Sequence, residues 1–191
     1  MDKGVFQKKL VPEELKCAAE EALSAFPELQ NTPIYFLYRP IRTATMQARP
    51  WLDILFRRRS RRSYVILIKK RADFSPDIPI HQLPHEVLVG WFAHELGHIM
   101  DFKRRNLFSM LRFLFGYLYD PTYRTQAEKT ADFFAIQRGM GKHIVSKRSF
   151  LSKHHGLSQA YRERLRRHYL SPEDAQEFVT LWNQKPQALR V

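Results

Sequence analysis

The sequence predicts an α+β fold, on three observations. Two short runs in the first half, Ile34–Tyr38 and Tyr64–Ile68, are dense in aromatic and β-branched residues and read as strands. A segment opening at Pro84 is apolar nearly all round, the mark of a buried central helix. From residue 106 onward the patterned segments carry helical spacing, so the carboxy-terminal third is helical. Strands confined to the first half, with most of the helices gathered after them, give the α+β class. A chain of 191 residues suits one domain, with a core at about 32–140 and a helical extension at about 141–191.

In chain order, residues 12–26 form the first helix. Pro12 suits its first position, Glu13 and Glu14 complement the amino-terminal dipole, and Leu15, Ala18, Ala19, Ala22, Leu23 and Phe26 make its apolar stripe. Pro27 and the turn Asn31-Thr32-Pro33 end it, and the strand Ile34–Tyr38 follows, closed by Pro40. Residues 43–47 offer a second strand. Residues 51–56 fit helix and strand equally, and the arginine run after them reads as an exposed loop. Tyr64–Ile68 is the clearest strand. Residues 74–81, with Pro76 and Pro79, are irregular or an edge strand. The central helix runs from Pro84 to about Phe102. Residues 106–119 are apolar and aromatic and read as a buried helix, or alternatively as an amphipathic segment lying on a membrane surface. Asp120-Pro121 starts a helix that ends at Arg138 before Gly139. Residues 143–153 and 158–169 look helical, and Ser171-Pro172-Glu173-Asp174 opens a last helix to about Trp182.

Composition narrows the class. With 44% hydrophobic and 13% aromatic residues the chain can build a core and is not a disordered segment. The single Cys17 excludes an internal disulfide framework. The first ten residues lack the apolar core of a signal peptide, and no run reaches the roughly 18–20 apolar residues of a membrane span. A cytoplasmic location is expected, or one peripheral to a membrane. The formal charge of +13 is concentrated in Arg57, Arg58, Arg59, Arg61 and Arg62, in Lys69, Lys70 and Arg71, and in residues 162–167. Such a balance favours an acidic protein partner, nucleic acid or an anionic membrane surface, or is simply a solvated face. No zinc finger or RNP motif accompanies it.

The chemistry-bearing motif is His94-Glu95-x-x-His98, inside the central helix. His94 and His98 stand one turn apart on one face, so both imidazoles can reach a single cation. Glu95 projects about 100° round the helix, beside the metal rather than on it, where a carboxylate can take a proton from metal-bound water. A histidine on an apolar helix face is more often a satisfied core residue than a ligand. Here two of them would be costly in a buried helix without a partner, and a metal supplies one. The starting reading is a zinc-dependent hydrolase.

A catalytic zinc takes three protein ligands and leaves one position for water. The metzincin pattern would place a glycine at 101 and a histidine at 104, where this chain has Asp101 and Arg104. The better third ligand is Glu128, followed four residues later by Asp132 on the same helical face. One carboxylate binds the ion and the other accepts the second ring N–H of a ligand histidine, His94 being the expected one. Small Ala131 and Ala135 let this helix approach the first closely. Thr125-x-x-Glu128 also matches a capping box, which would spend Glu128 on backbone at a helix start. The Asp120-Pro121 start competes with that reading.

Together the two motifs resemble those of gluzincin peptidases. His94-Glu95-x-x-His98 paired with Glu128-x-x-Ala131-Asp132 is similar to the HtpX-like and CaaX-processing membrane peptidases. The 30 residues from His98 to Glu128 are closer to the ImmA/IrrE-like peptidases, which usually carry Asn where this chain has Asp132. The resemblance spans about residues 64–140. It implies a zincin-like (gluzincin) fold, a small twisted, mainly antiparallel sheet packed on helices. An edge strand above the active-site helix would bind extended peptide by strand addition. The implied activity is that of a zinc-dependent metalloendopeptidase acting on peptide or protein substrates. It would use one Zn2+ held by His94, His98 and Glu128, with Glu95 as general base on zinc-bound water and Asp132 behind the ligands. Gluzincins typically add a Tyr, His or Arg that stabilises the oxyanion. His154, His155, Tyr123, Arg124 and Tyr161 are the candidates, and the sequence does not choose among them. His81 and His85 are assigned no role.

Two other readings compete. One is a basic protein that binds nucleic acid or anionic membrane on a zincin-like scaffold. The other is a peptidase held inactive until a partner or membrane reorders residues 106–119.

Overall fold

A computed structural model of the chain describes residues 9–42, 44–51, 54, 56–154 and 156–185. Lys9–Leu10 (β1), Ile34–Tyr38 (β2), Met46–Pro50 (β3) and Tyr64–Ile68 (β4) form a four-stranded sheet in the order β1-β2-β4-β3. β1 and β2 run parallel, β2 and β4 run parallel, and β3 runs antiparallel to β4. The expected mainly antiparallel sheet is therefore mixed. The reason lies in the connections. The helix Lys16–Ser24 (α1) carries the chain back between β1 and β2, as a parallel pair requires. After β2 the chain returns through β3, so β4 enters between them in the direction of β2. Tyr64, Val65, Ile66 and Ile68 are buried, as befits an inner strand covered on both faces.

The strand expected at 43–47 lies at Met46–Pro50, and Thr43 falls outside the described residues. Register explains the shift. Met46 and Ala48 stand opposite Ile68 and Ile66 and are buried, Arg49 turns outward, and Pro50 closes this edge strand where its missing N–H costs no ladder bond. Of residues 51–56, positions 52, 53 and 55 lie outside the described residues, and the rest form neither a long helix nor a strand. The arginine run is exposed as expected except at Arg62, which is buried. Arg71–Ala72 (β5) and Ser75–Pro79 (β6) make a separate two-stranded hairpin.

Among the described residues six α-helices follow: His85–Arg104 (α2), Leu107–Tyr119 (α3), Pro121–Gln137 (α4), Gly141–Lys153 (α5), Gln159–His168 (α6) and Pro172–Gln184 (α7). α2 is buried along most of its length and meets the sheet through Phe92, whose ring lies edge-on to Phe36 at 5.7 Å. Two glycines let it sit this deep. A Cβ on Gly97 would lie 2.2 Å from the Ala131 carbonyl oxygen of α4, and one on Gly90 would lie 2.2 Å from the His143 carbonyl oxygen of α5. These are backbone-to-backbone approaches that no larger residue allows. The α2–α4 approach brings two helix faces within side-chain reach of one ion.

α3 departs from expectation. It is helical, but only Met110 and Phe113 are buried, while Phe108, Leu111, Leu114, Phe115, Leu118 and Tyr119 face outward. Apolarity alone marks a surface that avoids water and does not say what covers it. No helix among the described residues is long and apolar enough to cross a membrane.

Candidate metal centre

The 3.6-residue helical period sets His94 and His98 one above the other on α2, their rings 4.8 Å apart and nearly perpendicular. α4 faces them. Its start is fixed by Asp120, whose side chain accepts from the backbone N–H groups of Thr122 and Tyr123. Glu128 therefore lies two turns inside the helix. The capping-box alternative does not form: the Thr125 hydroxyl donates back to the Pro121 carbonyl instead. One oxygen of Glu128 lies 3.0 Å from His94 Nε2 and 3.5 Å from His98 Nε2. The other accepts from the Tyr117 hydroxyl at 2.5 Å. One turn further along α4, Asp132 takes the remaining ring nitrogen of His94, with 2.7 Å between Nδ1 and Oδ1. Glu95 lies beside the imidazoles and accepts from the Ala48 N–H of β3 at 2.6 Å. Exposure is 4% for His94 and Glu95, 7% for His98, 2% for Glu128 and 0% for Asp132.

The electrostatics are those of a buried charge cluster. Burial by itself would raise Glu128, yet His98 and His94 hold it well below the ordinary glutamate range. Burial opposes ionisation of Asp132 too, and is overcome by Arg148, Lys147 and His94. The Arg148 guanidinium pairs directly with Asp132, and Lys147 lies 3.5 Å from it. Burial and the neighbouring Arg148 push Lys147 down to about 8, against the pull of Asp132. With both cations and both carboxylates ionised they balance, and the Glu95 side chain lies beside the two imidazoles.

The donors suit a divalent metal. Donation from Nδ1 to Asp132 leaves the Nε2 lone pair of His94 aimed at a carboxylate oxygen 3.0 Å away. Two electron-rich atoms that close need a cation between them, a metal ion or the proton of an imidazolium. His98 brings a second nitrogen to the same oxygen, and one atom from each of the three residues lies within 4.8 Å of the others. Tetrahedral zinc with bonds of 2.0–2.2 Å separates its ligand atoms by roughly 3.3–3.5 Å, close to both nitrogen–oxygen distances here. The buried cluster His94, His98 and Glu128 could hold a metal ion.

Tyr123 packs edge-on to Phe113, and Arg124 donates to the Tyr117 and Leu118 carbonyls at the end of α3. The rings of His154 and Tyr161 both lie against Phe74. His155 lies outside the described residues. His85 pairs with Glu21 at the exposed start of α2.

Residues that sequence reasoning did not reach complete the centre. Tyr117 comes from α3, Lys147 and Arg148 from α5, and Tyr169 from the turn after α6. The Tyr169 ring lies 6.1 Å from that of His94 and under the Arg148 guanidinium. Burial, with the nearby Glu128 carboxylate, holds its phenol protonated well above the usual tyrosine range. One signal was legible: Ile144 and Leu151 make a buried stripe on α5, and Lys147 and Arg148 sit between them on the same face. A charge pair inside an apolar stripe calls for a buried counter-ion. Nothing in the spacing marks Tyr169. Comparison of the chain with family models, with curated proteins and with solved structures gives no match.

Proposed function

We propose that the chain is a zinc-dependent metallopeptidase of gluzincin type, hydrolysing peptide bonds in protein substrates. The observation that carries this reading is the convergence of His94, His98 and Glu128 in a buried cluster with Glu95 adjacent. Glu95 is not among the three candidate ligands, and its carboxylate, which also accepts the Ala48 N–H, stands beside the cluster where a proton carrier is needed. Bound zinc would supply Lewis-acid polarisation of the scissile carbonyl and lower the pKa of the attacking water.

The chain's own residues do the rest. Asp132 fixes the ring of His94 with Nδ1 as donor, so that Nε2 keeps its lone pair for the ion, and Arg148 and Lys147 hold Asp132 ionised. Tyr117 turns Glu128 by binding the oxygen that does not face His98. Glu95 takes the proton of the attacking water and delivers it to the leaving amine. Its position favours an extended peptide as substrate. β3 is the last strand of the sheet, and the Ala48 N–H on its outer edge reaches Glu95. A peptide added along that edge passes directly beside the proton carrier.

The test is cleavage of an unstructured protein such as casein. Chelation stops cleavage and zinc restores it, whereas zinc-loaded protein that leaves every unstructured substrate intact would remove the peptidase reading.

A further inference from the structure

α3 has a second face that the metal centre does not use. Phe108, Leu111, Leu114, Phe115, Leu118 and Tyr119 are all exposed, Phe108 and Tyr119 to 79% and 78%. At 100° per residue these six fall within an arc of about 140° on one side of the helix. α3 carries no acidic residue, and its single charge, Arg112, borders this arc.

The charge beside the face is positive. Arg59 donates to the Arg104 carbonyl at 3.2 Å and Arg62 to the Arg105 carbonyl at 2.9 Å, both just before α3. These bonds anchor the exposed loop of Arg57, Arg58, Arg59 and Arg61 at the start of the helix, with Phe56 projecting next to it at 89% exposure. Of the described acidic groups nearby, Asp101 is paired with Arg105 and Asp120 caps α4. The patch is thus an apolar helix face beside a loop that exposes Arg58, Arg59 and Arg61.

We infer that α3 docks this protein on an anionic lipid bilayer. Its apolar face enters the headgroup and acyl boundary, and the arginine loop binds lipid phosphates. Thirteen residues of helix are about 20 Å long, enough to lie in the interface and too short to span it. A second copy of the chain is a poorer occupant, because its own copy of this face has no acidic residue to meet the arginine loop. The inference does not rest on the peptidase reading, since docking is measured without hydrolysis.

The test is co-sedimentation of the full chain with vesicles of phosphatidylcholine alone or mixed with phosphatidylglycerol. The protein sediments with the mixed vesicles, and salt weakens the association. Phe108→Ser with Phe115→Ser weakens it by more than about tenfold, because the anchoring rings are gone. Arg58→Ser with Arg61→Ser weakens it about fivefold per arginine at low salt. Circular dichroism of each variant establishes that it is folded, and all four positions are exposed. Failure to sediment with mixed vesicles, equal binding to neutral ones, or full binding by the folded Phe108→Ser/Phe115→Ser protein would overturn the inference. So would a concentration-dependent dimer abolished by the same pair, which would assign the face to a second copy.

Discussion

On the proposed reading, the Glu95→Gln protein is expected to keep its fold and bind zinc while hydrolysis falls by about 10²–10⁴-fold. Glutamine has the shape of glutamate, and its carbonyl oxygen can still accept the Ala48 N–H that Glu95 accepts at 2.6 Å. It cannot carry a proton. Because position 95 is not among the metal ligands, the ion stays while the chemistry stops, which separates a catalytic role from a structural one. Zinc content by mass spectrometry and casein turnover on the same sample read both quantities. Undiminished turnover would remove Glu95 from the mechanism. The same variant distinguishes the enzyme from a basic binding protein on a zincin-like scaffold, whose binding would survive it.

The second large effect is on stability. Asp132→Ala strands Lys147 and Arg148, which are buried and held by this carboxylate, and removes the acceptor of His94 Nδ1. Breaking a buried ion pair from one side costs about 3–5 kcal/mol. Loss of the group that orients a ligand histidine weakens metal binding about 10–100-fold. Denaturant unfolding of the metal-free protein reads the first effect, and zinc titration reads the second. Asp132→Asn with Arg148→Leu removes one stranded charge and keeps an oxygen for His94, so it recovers part of both. A neutral Asp132→Ala change in the metal-free protein would mean that the two cations find solvent without it.

What the sequence disclosed depended on whether the signal was local. His94, Glu95 and His98 share one helix, and Glu128 and Asp132 another, so helical period alone placed each set on a common face. The facing of α2 and α4 was foreshadowed by Ala131 and Ala135, and Gly97 is the other half of that contact. Contributions from farther away were fainter. Lys147 and Arg148 within the apolar stripe of α5 ask for a buried counter-ion without naming Asp132, and no spacing marks Tyr169, which arrives with the turn after α6. The oxyanion candidates were chosen by residue type: the rings of Tyr123, His154 and Tyr161 lie against Phe113 and Phe74, and Arg124 lies over the ring of Tyr117. Strand direction was misjudged for a related reason. Alternation shows which face of a strand is buried, whereas pairing direction follows from connections such as α1. In α3 the composition was read correctly as helical and apolar, and burial was wrongly inferred from it.

The most direct test of the coordination sphere is zinc-edge X-ray absorption on the loaded protein. Two imidazole scattering signatures at about 2.0–2.1 Å, completed by lighter oxygen ligands, are expected for the unaltered chain, with one imidazole lost in His98→Ala. A spectrum without imidazole, or one that His94→Ala and His98→Ala both leave unchanged, would contradict the account.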